Sequence, residues 1–432
     1  MSNKITIYST PKAHAPTVRR RDNVITIYRL DHPSCVSGFL WYLKSGIRKG
    51  FSKFVIKWDG ELVYPDACVP IAGIIAFYRE NHSIEFEYDL PRNCYLEHCG
   101  FLEPFVKSEQ EIQDELYPFD KLYRYSNSAQ VAALTQAFID GLSRQAECSA
   151  GVLTGLTWCI NEVMDNVLVH SEAGHGFVMA QYHQAKKTIA ICVYDSGVGI
   201  YRSLKKSKHK PKTQMDAITM AIQEGVGDGK GQGNGLFGLY QVVAENKGAL
   251  SITSGAASIM WTSRQEMRKY NDLPYISGDF LATSVDFRLN LCNEINIQSA
   301  FSTIGGFDGF DIRIDEMLQD DDTYIYDVYA NSMGTATRES GTFLRNDVIN
   351  TLTRINQRIV LDFNGVKTVS SSFADEFIAK MVLRLGFVQF NQLVKLVNVN
   401  EDVKFLIERS LYMRISDEWK GRYKATVKRR ET

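Results

Sequence analysis

The chain has 432 residues, 44% of them hydrophobic, and a formal net charge of −1. That is enough apolar material for a large core and enough length for two or three domains. The near-neutral balance excludes a general polyanion binder, so no general nucleic-acid binding is expected, although Lys205, Lys206, Lys208, Lys210 and Lys212 form one local basic run. The best apolar run, VPIAGIIAFY at 69–78, is too short to cross a bilayer and lacks signal-peptide flanks, so no membrane association and a cytoplasmic location are expected. Eight cysteines are scattered without CxxC or Cys/His spacing, which reads as reduced, mostly buried thiols.

Residues 1–106 alternate strand patterns (NVITIYRL, KFVIKW, SIEFEYDL) with helical ones (VSGFLWYLKSGI, ACVPIAGIIAFYREN), the signature of a small α/β domain. A polar, acidic passage from Lys107 to Asp120 opens a second domain, 107–295. It holds helices, the strands GFVMAQYH and TIAICVYD, a glycine-rich region and further strands to Leu291. After the connection NEINIQSAFSTIGGFDGFD, a third domain, 296–432, repeats strand, helix, strand RIVLDF, helix ADEFIAKMVLRLG and strand LVKLVNV. Setting Trp58 on Phe363 lays KFVIKWDG over RIVLDFNG and PDACVPIAGIIAFY over SSSFADEFIAKMVL, with apolar positions largely in step. A duplicated domain type is expected; two unrelated strand-turn-helix units would give a similar pattern.

Within the second domain the stretch WCINEVMDNVLVHSE predicts a helix. Leu156, Ile160, Val163 and Val167 form its core-facing stripe, while Glu162, Asn166 and His170 drift along a second stripe roughly 90° away, at the edge of the core. Asp165 falls opposite the apolar stripe and is expected in solvent. Alone, the polar stripe fits a pocket wall or ordinary helix surface equally well. Next comes DSGVGI, in which Asp195 at a strand end precedes Gly197 and Gly199. These are glycines that let backbone approach a flat ligand. Further on, GKGQGNGLFGLYQVV sets Gly231, Gly233, Gly235 and Gly238 before an apolar helical pattern, where N–H groups and the helix dipole favour phosphate. It is neither a Walker A loop nor a GxGxxG that directly follows a strand.

In this order the three motifs resemble those of the GHKL (histidine kinase-like) ATPases. NEVMDNVLVH looks like the N box, DSGVGI like the first glycine box, GQGNGLFGL like the second, and GDFLATSVDFRL like the closing strand with its threonine, Thr283. The match covers about residues 140–291. The resemblance implies ATP and Mg2+ as cofactors: Asn166 would hold the metal, Glu162 would be the general base, and Asp195, supported by Thr283, would accept from the adenine amine. Gly197 and Gly199 would make room for base and ribose, and Gly231, Gly233, Gly235 and Gly238 would border the triphosphate. His170 would contact phosphate or cap the helix. Residues 201–230 would form a lid. The second glycine box is longer than the compact form in histidine kinases.

The N box is most similar to that of anti-sigma-factor serine kinases, which pair with STAS-domain proteins. The third domain looks STAS-like, with Ser371 or Ser372 at the phosphoacceptor position, but it reads Ser-Ser-Ser-Phe where the familiar pattern is Asp-Ser-Ser-Gly. Helix capping by these serines is the competing reading. At the equivalent place the first domain has Pro65, Asp66, Ala67 and Cys68, without a hydroxyl. Asp375 and Glu376 would repel a phosphate placed there. The expected fold is therefore α/β: a central GHKL (Bergerat-type) sandwich flanked by two small STAS-like domains. Expected functions are an ATP-dependent serine/threonine kinase-like regulator of a STAS-like partner, an ATP-binding switch with little turnover, or a slow lid-gated ATPase. A homodimer is compatible with each.

Overall fold

The computed structural model describes residues 5–7, 17–32, 34–227, 235–271, 281–300 and 312–430. It divides into two compact units, one of Met1–Gly141 with Gly151–Phe307 and one of Leu142–Ala150 with Asp308–Thr432. The chain is mixed α/β, with three sheets among the described residues. The first unit takes in most of the first two sequence domains.

Its strands are β1 (Ile5–Ile7), β2 (Val18–Arg21), β3 (Val24–Ile27), β4 (Lys53–Trp58), β5 (Glu85–Asp89), β6 (Leu122–Tyr125), β7 (Gly176–His183), β8 (Thr188–Asp195), β9 (Ala249–Ser254), β10 (Ala257–Trp261), β11 (Met267–Tyr270) and β12 (Thr283–Asn290). Its helices are α1 (Ser34–Arg48), α2 (Pro65–His82), the single turns α3 (Tyr95–His98) and α4 (Glu109–Gln113), α5 (Ser128–Gln145), which ends in the other unit, α6 (Val152–His170), α7 (Gly199–Lys205), α8 (Gln214–Ala221), α9 (Gly235–Glu245) and α10 (Ile297–Ala300). The small sheet runs β2-β3-β4-β5 and the large one β1-β11-β10-β9-β12-β8-β7-β6. The large sheet is antiparallel throughout except where β1 joins β11.

Alternation along each strand gives the large sheet two distinct faces. Cys192, Tyr194, Phe177 and Met179 turn to the back and share one continuous core with Ile71 and Ile75 of α2 and with Ile27, Phe54 and Ile56 of the small sheet. Helix α2 is therefore enclosed: Pro65 through Ala76, and Tyr78, are all buried. Burial on every side explains why its sequence is apolar all round rather than striped. The front face carries α6. Tyr125, directly opposite Gly176 and so on the other face from Phe177, donates its hydroxyl to Met164 O of that helix at 3.2 Å.

In the second unit β13 (Tyr324–Asp327), β14 (Ile359–Asp362) and β15 (Val394–Val397) form a parallel sheet. Around it lie α11 (Ile312–Met317), α12 (Val328–Asn331), α13 (Arg338–Ile355), α14 (Ser371–Ala374), which runs through a π turn at Asp375–Ala379 into α15 (Lys380–Leu385), α16 (Phe387–Leu393) and α17 (Glu401–Arg430). The internal alignment is matched in topology. β3-α1-β4-α2-β5 and β13-α13-β14-α14/α15-β15 are both parallel three-strand runs with the aligned strands, β4 and β14, in the middle.

Segment Leu142–Ala150 counts with this unit because Asn350 satisfies its backbone, accepting from Cys148 N at 2.8 Å and donating to Ser143 O at 2.8 Å and Ala146 O at 2.7 Å. Beside it the fully buried Asp347 carboxylate accepts from Ser143 Oγ at 2.8 Å, Tyr326 OH at 2.6 Å and Arg313 Nη1 at 3.0 Å. None of the eight cysteines is in a disulfide, and six of them are buried. Among the described residues no helix is long and apolar enough to cross a membrane.

The enclosure of α2 rests on Gly73, where a methyl group would stand 2.3 Å from the Tyr194 ring. Gly73→Ala should destabilise the protein by roughly 1–3 kcal/mol in urea unfolding. Gly38→Ala on α1, where the added methyl meets Val18 at an ordinary 3.6 Å, should instead gain about 0.5–1 kcal/mol from helix propensity.

Candidate functional site

Asp195 ends β8, and in the β8–β12 ladder its direct partner is Thr283, the first residue of β12. Thr283 is in turn opposite Ser254, the last residue of β9. Directly paired residues of antiparallel strands share a face, so Asp195, Thr283 and Ser254 stand in one row on the front of the sheet. The Asp195 carboxylate is 5% exposed and accepts from Gly197 N at 2.8 Å. Burial pushes its pKa up to about 7, against the lowering effect of that bond. Ser254 Oγ lies 3.2 Å from Thr283 Oγ1 and accepts from Ile200 N at 2.9 Å.

The turn between Asp195 and α7 is crowded by backbone. A methyl on Gly197 would meet Ser171 O at 2.1 Å, and one on Gly199, whose φ is +73°, would meet Leu281 O at 2.2 Å. Val198 N also donates to Ser171 O at 2.8 Å, so the turn is tied to the residue after α6. The Cβ sides of both glycines are thus taken by the protein's own carbonyls, and a ligand can approach only from the opposite side.

Helix α6 presents its residues as the wheel predicts. Leu156, Ile160, Val163 and Val167 are buried, Glu162, Asn166 and His170 are half-buried, and Asp165 is exposed. Gly235, the first residue of α9, meets this stripe: a methyl there would lie 2.6 Å from Glu162 Oε2 and 3.0 Å from Asn166 Nδ2. Two sequence motifs some 70 residues apart are thereby joined, and a side chain at Gly235 would displace the Glu162 carboxylate. Burial, and then the neighbouring Asp165, raise the Glu162 pKa, which moves a carboxylate toward the range useful to a general base at neutral pH. Gly238 is buried one turn into α9 and His170 closes α6. Gly231 and Gly233 lie outside the described residues.

Of the expected lid, residues 201–227 are described. Leu204, Ala217 and Ala221 form a small core joined by Ile200, Tyr201, Met220, Val226 and, from α9, Leu236. Two of the five lysines have local partners, Lys206 with Glu172 at 2.9 Å and Lys205 over the Tyr201 ring at 5.3 Å. The front row thus sets a buried carboxylate in register with two hydroxyls, and the Gly235 contact sets the start of α9 beside an amide and a carboxylate.

In the second unit Ser370 is the helix cap, its Oγ accepting from Phe373 N at 3.0 Å, and it also lies 3.0 Å from Ser372 Oγ. Ser371 is exposed. The capping reading therefore holds for Ser370, while the neighbouring hydroxyl is presented to solvent. The expected repulsion from Asp375 and Glu376 does not survive the structure, because both acids are already paired. Arg414 and Arg338 meet Asp375, the former through Nε at 2.8 Å. Arg338, Arg345 and Lys380 meet Glu376 at 2.6, 2.8 and 2.5 Å. Burial alone would raise the Glu376 pKa, but the bonds from Lys380 and Arg345 hold it at about 2. Four cations therefore meet these two carboxylates.

Residues 340–404, from α13 through β14, the serines and β15 into α17, match the family model described as a STAS-like domain of unknown function (DUF4325). The C-terminal part of the chain thus contains a STAS-like domain. No curated protein and no solved structure gives a match.

Sequence reasoning missed two features. Ser254 ends an unremarkable strand, SITS, with no motif to mark it. On the back of the sheet Arg288 Nη2 donates to Asp66 Oδ2 at 3.0 Å and Arg288 Nε lies 3.7 Å from Asp286 Oδ1, an ion cluster whose third member, Asp66, lies 222 residues from Arg288 and could not be paired with it by eye.

The raised pKa of Asp195 carries a sign. The folded value, about 7, lies above the ordinary 3.8, so the group's contribution to stability is full below about pH 4 and is lost as pH rises through 7. Asp195→Asn removes that loss. Its melting temperature should equal that of the unsubstituted protein near pH 4 and exceed it increasingly toward pH 8, by an equivalent on the order of 2–4 kcal/mol, as scanning calorimetry across that range would measure.

Proposed function

We propose that the first unit is a histidine kinase-like (GHKL) ATP-binding domain and that the chain is an ATP-dependent regulator whose kinase-like activity is directed at a STAS-like domain. The observation that carries this reading is the register of β8 against β12. It sets the Asp195 carboxylate beside the Thr283 hydroxyl on the sheet face that also holds α6, while Gly235 brings the start of α9 against Glu162 and Asn166. An acceptor for a base amine and a phosphate-compatible helix start then belong to one site, as the motif order implies.

In this reading Asp195 would accept from the base amine and Asn166 would hold a magnesium ion, a hard cation that needs few protein ligands beside phosphate and water. Glu162, its pKa raised by burial, takes the proton from the attacking hydroxyl or water, and ATP supplies the transferable phosphoryl group. The substrate hydroxyl is Ser371 of this chain or of a second copy: it is exposed at a helix start, and the acids that follow it, Asp375 and Glu376, are already paired with Arg414, Arg338, Arg345 and Lys380, so neither stands as an uncompensated charge against a phosphate. A switch with little turnover is the second reading, supported by the core that ties the α7–α8 segment to Leu236 and would let bound nucleotide order that segment.

Calorimetry should find Mg-ATP binding that Asp195→Asn weakens at least about tenfold, because the base amine loses a charged acceptor. Glu162→Ala should retain binding while turnover or transfer falls about 100-fold or more; equal turnover in both proteins favours the switch. Intact mass and phosphopeptide mapping after incubation with Mg-ATP should find the label on Ser371, and incorporation that persists in Ser371→Ala, Ser372→Ala would remove these serines from the reaction.

A further inference from the structure

We infer that Ser254 fixes the direction of hydrogen bonding in the front row, makes Thr283 a donor, and so selects 6-aminopurine over 6-oxopurine nucleotides. This rests on the nucleotide-binding reading above and concerns a residue that none of the motifs contains.

Ser254 is 3% exposed. Its Oγ accepts the Ile200 N–H at 2.9 Å, a bond whose direction is fixed because an amide nitrogen only donates. The hydroxyl's own proton then needs an acceptor, and among the described residues the side-chain oxygen in reach is Thr283 Oγ1 at 3.2 Å. A buried hydroxyl proton left unpaired costs about 1–3 kcal/mol, so Ser254 donates to Thr283. That bond takes up acceptor capacity on Thr283 Oγ1 and leaves its proton to be offered outward, on the half-buried side of the row.

Across the ladder stands Asp195, which above the pH near 7 where it ionises is a carboxylate that can only accept, so the titrations below are run at pH 8. The row therefore offers an acceptor and a donor side by side. A 6-aminopurine presents the complementary pair, an amine proton at position 6 and an unprotonated N1. A 6-oxopurine presents the reverse, a carbonyl oxygen at position 6 and a proton on N1, and both of its groups face their own kind. The backbone tie matters too, since the same Oγ that orients Thr283 anchors the turn after Gly199 through Ile200 N.

The test is titration calorimetry with Mg-ATP and Mg-ITP, which differ in the base at these two positions alone. Ser254→Ala frees Thr283 Oγ1 to accept the N1 proton, so ITP binding should tighten roughly three- to tenfold, the worth of one neutral hydrogen bond. Ser254→Thr, which keeps the hydroxyl, should keep the discrimination. Ser254→Ala combined with Thr283→Val should lose the gain. A merely loosened turn would weaken both nucleotides and cannot produce tighter ITP binding. Ser254→Cys, a weak donor of similar size, provides the same comparison if the alanine variant does not fold, with a smaller gain expected. Unchanged or weaker ITP binding in Ser254→Ala, or a gain that survives in the double variant, overturns the inference while leaving ATP binding intact. Absence of ATP binding to the unsubstituted protein would overturn the nucleotide reading and this inference with it.

Discussion

The antiparallel pairing of β8 with β12 is the constraint on which the rest of the first unit depends. Eight consecutive pairs, from Thr283 with Asp195 to Asn290 with Thr188, lock the two strands, and side chains alternate between faces along both. Val193, Val285 and Ile252 line the front with Asp195 and Thr283, while Cys192, Tyr194 and Asp286 point to the back. A slip of one residue would exchange these sets. It would bury the wrong strand face against α2 and turn Asp195 away from α6. The pairing that closes the core is thus the same pairing that builds the site, and neither can change alone.

Glycine does the complementary work where elements must come closer than a side chain allows. Gly197 against Ser171 O, Gly199 against Leu281 O and Gly235 against Glu162 are the points at which the turn after β8, the entry to β12 and the start of α9 converge on α6. The glycines that read in sequence as space for a ligand are, in two of these three cases, space for backbone. The protein's own chain fills the Cβ side of each of these glycines.

What was legible in the sequence is what local periodicity encodes. The stripe of Glu162, Asn166 and His170 along the edge of α6, the exposed Asp165 and the strand end at Asp195 all follow from a period of 3.6 or 2 applied over a few residues. Features that depend on partners far along the chain were not legible. Helix α2 read as an apolar run, but its burial on every side needs the large sheet, whose strands come about 100 residues later. Asp375 and Glu376 read as a negative cluster because Arg338, Arg345 and Arg414 approach from other helices. Ser254 gains its significance only from two partners, 54 and 29 residues away.

The two aligned α/β runs make the same point about charge. The alignment that sets Trp58 on Phe363 also sets Asp66 on Ser371, each in the first turn of the helix after the middle strand. In the first run that position is closed. Asp66 is buried, its pKa pushed up to about 7 by burial and by Asp286 against the opposing pull of Arg288, and it is spent on holding α2 to the back of the large sheet. In the second run the same position carries a hydroxyl in solvent, with the nearby acids neutralised and an excess of cations around them. A common topology therefore yields one helix start committed to packing and one left open to solvent, and the difference lies in which side chain stands at the position and which charges reach it.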